Sequence, residues 1–238
     1  MQFANAVVTM SPAPPTPTIV LGCYHSGTRA VVSLLNAMGS FGGPIDNPWL
    51  EHSVFLDVHA ELMKQRFGSD RWSCPELLTG YQDDLRVLPL AQRLLRRAAP
   101  RLPDVPRWHW KNPRSTYFLR VWQVIYPEAQ FVHIIRDGRD VAVSLYHANC
   151  RAIIPSLHYG FALWEGTVRH ILENLPKRTL TVHYERLDEG VPRIADRLLL
   201  DDRSAITRGK SILRIHAGAW REAKFNPRSP LLEDLGYH

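Results

Sequence analysis

The chain has 238 residues, 45% of them hydrophobic and 22% charged, a composition that fits one globular domain with a substantial core. Its formal net charge of +6 favours anionic partners. There is no zinc finger, basic helix or aromatic RNA-binding signature, so nucleic acid is not an expected partner. No apolar run approaches the ~20 residues of a membrane helix. The three cysteines, Cys23, Cys74 and Cys150, are odd in number and widely spaced, which argues against a disulfide framework and for a reducing, cytoplasmic compartment.

Residues 1–17 carry neither the basic region nor the long apolar core of a signal peptide. Their proline-rich end reads as an extended leader before a single domain over 18–238. Residues 18–21 are an apolar strand, and 29–38 have helical periodicity ending at Gly39. Helices are expected over 51–67, stopped by Gly68, and over 83–99, stopped by Pro100. Residues 107–111 alternate like a short strand, and Pro113 suits the first position of a helix running to Tyr126. Residues 130–135 form a clear strand, 141–148 and 157–175 helices, 179–184 a strand and 191–200 a helix. Strands alternating with helices predict a three-layer α/β/α domain around a parallel sheet. In such sheets ligands sit beyond the carboxyl ends of the strands.

One such end is Gly22-Cys23-Tyr24-His25-Ser26-Gly27-Thr28-Arg29. A strand, a glycine loop and a helix in that order make a phosphate cradle, in which inward amides and the helix N-terminus attract an anion. The spacing nearly fits the G-x-x-x-x-G-K-[ST] loop of nucleoside triphosphate enzymes, but Thr28-Arg29 stands where Lys-Ser/Thr belongs. A P-loop kinase is therefore the weaker alternative. A second strand end carries Arg136-Asp137-Gly138-Arg139-Asp140, with Ser144 eight residues after Arg136. Taken alone, this stretch reads most simply as a helix start, with Asp137 as cap and Asp140 near the dipole. Trp110-Lys111-Asn112-Pro113-Arg114 and Tyr184-Glu185-Arg186-Leu187 follow two further strands.

Together and in this order, the motifs resemble the sulfotransferases that use 3′-phosphoadenosine 5′-phosphosulfate (PAPS), particularly the carbohydrate-type and bacterial members. The resemblance spans roughly 18–221 and implies the P-loop-like sulfotransferase fold. It also implies that Tyr24, His25, Ser26, Gly27, Thr28 and Arg29 hold the 5′-phosphosulfate. Arg136 and Ser144 would bind the 3′-phosphate, with Tyr184 alongside. Arg208 and Lys210, with Gly218-Ala219-Trp220-Arg221, would stand for the family's final basic, glycine-containing phosphate loop. Lys111 matches the family's Lys-x-Pro lysine and is the expected catalytic cation.

His25 departs from the pattern, since the family usually places Lys or Arg there; it would serve as a catalytic cation only if the polyanion kept it protonated. The departure leaves open a non-catalytic nucleotide-binding protein on the same fold. Glu51 is the favoured general base on position, ahead of His52, Asp46 and Asp57. No metal is expected, because no His, Cys or Asp cluster has ligand spacing. The resemblance implies an acceptor hydroxyl on a carbohydrate, glycoside, lipid or other small molecule. Segments 41–67 and 148–164 are expected to build its pocket; His147, Tyr159, Phe161 and Trp164 are a candidate aromatic wall, although periodicity alone explains them as core.

Overall fold

The structure is a computed structural model that describes residues 16–45, 47–70, 85–148, 153–198 and 203–238. Its sheet has four strands among the described residues: β1 (Pro17–Leu21), β2 (Trp108–Lys111), β3 (Gln130–Ile135) and β4 (Thr179–His183). They lie in the order β2-β1-β3-β4, and every pairing is parallel. Residues 1–15 of the proline-rich leader, with Cys74, Cys150 and Asp46, fall outside the described residues, and Pro17 belongs to β1.

Alternation along each strand sorts the apolar residues onto two faces. Ile19, Leu21, Trp108, Trp110 and Phe131 meet α2 (Ser53–Phe67), α3 (Leu88–Ala98) and α4 (Leu119–Ile125) on one side. Val20, Val132, Ile134, Leu180 and Val182 meet α1 (Thr28–Ala37), α7 (Leu187–Arg197) and α8 (Arg203–Ile212) on the other. Helices α5 (Gly138–His147) and α6 (Leu157–Glu173) pack together beside the sheet, with α10 (Pro230–Asp234) against them. A short helix, α9 (Ala219–Glu222), lies between α8 and α10. The first face is aromatic: Phe55 stacks flat on Trp110, with centroids 3.8 Å apart, and Trp122 closes on both edge-on. Fully burying one such ring contributes about 2–3 kcal/mol.

The three-layer α/β architecture with a central parallel sheet is the one the sequence predicts, and several boundaries move. The stretch from Pro113 begins as a 3₁₀ helix through Phe118 before α4 forms. Helix α2 starts at Ser53, so Glu51 and His52 belong to the extended segment before it. Helix α5 starts at Gly138, because the Asp137 carboxylate accepts the Arg139 N–H and caps it.

Strand order reverses about the centre of the sheet. The chain passes from β1 outward to β2 on one side, then returns to β3 on the other. The crevice between the carboxyl ends of β1 and β3 is therefore the switch point where an open α/β sheet takes its ligand. The Gly22 loop leaves β1 there, and Arg136 leaves β3 there.

Candidate active site

The loop after β1 is shaped by three local features. Ser26 turns both its backbone N–H and its hydroxyl onto the Cys23 carbonyl, at 3.1 and 2.7 Å. His25 has a φ of 63°, a left-handed conformation uncommon for a residue with a side chain. Gly27 has a φ of 96°, and a Cβ on it would lie 2.3 Å from the Tyr184 ring. Only glycine meets both demands. Helix α1 starts at Thr28 with no side-chain cap and no acid in its first turn, so its N-terminal amides and partial positive charge stay uncompensated.

Arg136 and Ser144 converge on this loop from β3 and α5. The Ser144 hydroxyl lies 2.8 Å from Nδ1 of His25. Arg136 donates from one terminal nitrogen to the His25 carbonyl at 3.1 Å and from the other to the His216 carbonyl at 2.8 Å. Its guanidinium sits 4.7 Å over the Tyr184 ring. Its Nε is buried with no hydrogen-bond partner among the described residues. A buried guanidinium held by neutral carbonyls, with one donor idle, is ready for an anion.

Lys111 arrives from the end of β2. Its ammonium donates to Glu51 Oε1 at 3.0 Å, and the Asn112 amide donates to Glu51 Oε2 at 3.2 Å. The pair is buried, with side chains 3% and 10% exposed. Burial lowers the Lys111 pKa, and Glu51 works against that fall. Asn47 holds the Glu51 backbone through both its amide nitrogen and its oxygen.

His25, Lys111 and Glu51 line a cavity of about 570 Å³ with Thr28, Arg29, Trp49, Leu56, Pro113, Arg114 and Ala148. Tyr24 also lines it, and burial raises its phenol well above the usual value. Among the described residues no group of three or more His, Cys, Asp or Glu side chains is placed to hold a metal ion. No helix among them is long and apolar enough to cross a membrane.

The structure gives the state or place of the other candidates. His25 is neutral at pH 7: burial first, then Arg136, Arg29 and Lys111, lowers its pKa to about 4. Arg208 and Lys210 lie in α8 rather than in a loop, and Arg208 donates to the carbonyl of Ala37 at the end of α1 farthest from the phosphate cradle. Phe161 and Trp164 pack in the core with Cys23 and Val141, as their periodicity alone implies, and Tyr159 packs against that core. Cys23 itself is a buried thiol pushed up to about 12. Of the other base candidates, Asp57 faces solvent beside Arg101, and His52 is buried against Phe55 and Trp108 with its pKa lowered to about 4 by burial. Trp49, Leu56, Asn112 and Arg114 are site residues for which the sequence reading assigned no role. Asn112 and Arg114 stand within the motif around Lys111, whereas Trp49 carries no local signal.

The comparisons agree with this architecture. The model of the Sulfotransferase family matches residues 17–199. A protein of Aquifex aeolicus (strain VF5), described as uncharacterized, is 27% identical over 192 residues, or 77% of this chain. The chain spans about a quarter of the length of that curated relative. The sulfotransferase domain of the Synechococcus PCC 7002 olefin synthase superposes with a TM-score of 0.58 at 17% identity, covering 94% of this chain and 96% of its own. Sulfotransferase STF9 of Mycobacterium avium gives 0.54 at 14% identity, covering 93% and 75%. Sulfotransferase STF1 of Mycobacterium tuberculosis H37Rv gives 0.51 at 17% identity, covering 86% and 73%. With a family model that matches more than half of its length, the chain belongs to the sulfotransferase family.

Proposed function

We propose that this protein moves a sulfonate group from PAPS to an acceptor hydroxyl on a carbohydrate, glycoside, lipid or other small molecule. The observation that carries the reading is the meeting of Arg136 and Ser144 at His25, a residue that lines the cavity together with Lys111 and Glu51. The site has an anion cradle at α1 and a second cation on the other central strand, as a doubly phosphorylated nucleotide requires. The idle Nε of Arg136 fits it as well.

PAPS supplies the sulfonate and a phosphate leaving group when bound. The chain's residues supply position and potential. Glu51 takes the proton of the attacking hydroxyl as the oxygen–sulfur bond forms and the sulfur–phosphate oxygen bond breaks. Lys111, already charged against Glu51, faces the negative charge that grows on the departing phosphate. The α1 amides and Arg29 face the same charge, while the His25 ring holds Ser144.

Calorimetry tests the reading. Tight binding of 3′-phosphoadenosine 5′-phosphate (PAP) without magnesium is expected; binding of Mg-ATP alone would instead indicate a kinase. Labelled sulfonate from PAPS should then reach at least one hydroxyl acceptor, and PAP binding with no transfer to any acceptor would indicate a non-catalytic nucleotide-binding protein. Lys111→Ala should abolish turnover while sparing PAP affinity more than Arg136→Ala does. Undiminished turnover in both variants would refute these roles.

A further inference from the structure

The Arg136–Asp140 stretch holds two arginines with different fates. Arg139 is saturated. Its Nε and Nη2 fork onto the Asp137 carboxylate at 2.8 to 3.2 Å, its Nη1 donates to Asn226, and its guanidinium lies 3.9 Å over the Trp220 ring. Arg136 has no such partner. The nearest carboxylate is Asp140, but Nη2 to Oδ2 is 3.9 Å, too long for a hydrogen bond.

Asp140 is 1% exposed and occupied elsewhere. Its Oδ2 accepts the Gly218 N–H at 2.7 Å, and its Oδ1 accepts the Trp220 N–H at 3.1 Å. These bonds fix the turn that starts α9, where Gly218 has a φ of 87°. The chain just before that turn crosses Arg136. His216 gives its carbonyl to Arg136 and its N–H to the Tyr184 hydroxyl, which itself donates to the Arg214 carbonyl at 3.4 Å. The segment is thus pinned at one end by Tyr184 and at the other by Asp140.

We propose that Asp140 is a positioning residue for the nucleotide site: by anchoring the Gly218–Trp220 turn, it holds segment 214–218 across Arg136 and keeps that guanidinium open to a phosphate. The inference rests on the proposed function, since it takes Arg136 to be the phosphate ligand. Asp140 touches neither substrate nor reacting atoms. It acts through the strap and through its own saturation, because a carboxylate that already accepts two amides has less to offer Arg136.

The sign of one measurement separates this role from its rivals. Removing a negative charge 3.9 Å from Arg136 should, by Coulomb's law alone, tighten anion binding. A role confined to fold stability should leave the affinity of folded protein unchanged. Positioning requires weaker binding. We therefore expect Asp140→Asn to raise the Kd for PAP on the order of tenfold to a hundredfold. Turnover at saturating PAPS should change little, and hydrogen exchange should rise at the 214–220 amides.

Gly218→Ala is the second variant. It strains the same turn through its positive φ and leaves the Asp140 charge in place, so it should weaken PAP binding in the same direction, and it carries the test alone if Asp140→Asn does not fold. Unchanged or tighter PAP binding in the folded variants would overturn the inference, as would weaker binding with no change in exchange at 214–220. If the unsubstituted protein fails to bind PAP, the functional reading itself fails, which is a distinct result.

Discussion

Lys111 and Glu51 are 60 residues apart in the chain and form one buried ion pair at the site. Breaking it leaves a carboxylate held by Asn112 alone. Lys111→Ala is expected to cost about 3 kcal/mol of stability, and adding Glu51→Gln should recover part of that loss, as urea denaturation of the two variants would measure. His25 carries a second prediction at this scale. Its pKa of about 4 reflects burial among three cations, so it is neutral at pH 7 until an anion arrives. Nitrogen-15 titration should show that pKa rising when PAP binds; a fall would place the nucleotide away from His25. The loop's own pattern marked it for phosphate, whereas Lys111 and Arg136 were marked only by the ordered resemblance. The pairing of Glu51 with Lys111 was not legible, because it depends on how segment 41–52 runs beside β2, where Phe41 and Trp108 form an isolated bridge.

At the level of elements, glycine is where sequence reading succeeded and failed. Gly27 read as a turn glycine and is one, with the Tyr184 ring against its missing Cβ. Gly27→Ala should cost at least about 1–3 kcal/mol and abolish PAP binding, which thermal melts and calorimetry would detect. Gly209 also read as a loop signal, yet it lies inside α8. A Cβ there would sit 2.4 Å from Leu34, so its role is close approach of α8 to α1 rather than a turn. Strand β3 was legible residue for residue because, after the half-buried Gln130, both its faces are buried and its run is apolar apart from His133. Apolar periodicity alone starts helix α5 three residues late, at Val141, whereas the reading of Asp137 as a cap marks its true start, a polar first turn held by that cap and the Arg139 fork.

For the whole molecule, the distribution of histidines makes stability depend on pH. Burial lowers His25 and His52 to about 4, and His59, His109 and His133 to about 3. The unfolded chain titrates these rings near 6.5, so between about 6.5 and 4 it binds protons that the folded chain refuses. Stability is therefore full above about 6.5 and falls as pH drops through that window. The slope is about 1.4 kcal/mol per pH unit for each ring protonated only when unfolded. Melting temperatures from pH 7.5 to 4 would check this, and a flat profile would contradict it. The three-layer architecture was legible because alternating strands and helices leave few topologies open. The cavity wall was legible as a segment but not residue by residue: 41–67 supplies Trp49, Glu51 and Leu56, while Arg114 joins them from beyond β2 through tertiary packing.

The most direct test of the account is a crystal structure of the protein soaked with PAP. The account requires the 5′-phosphate on the amides that open α1 and the 3′-phosphate within hydrogen-bond distance of both Arg136 and Ser144. A nucleotide whose ribose phosphate lies away from that pair would contradict it.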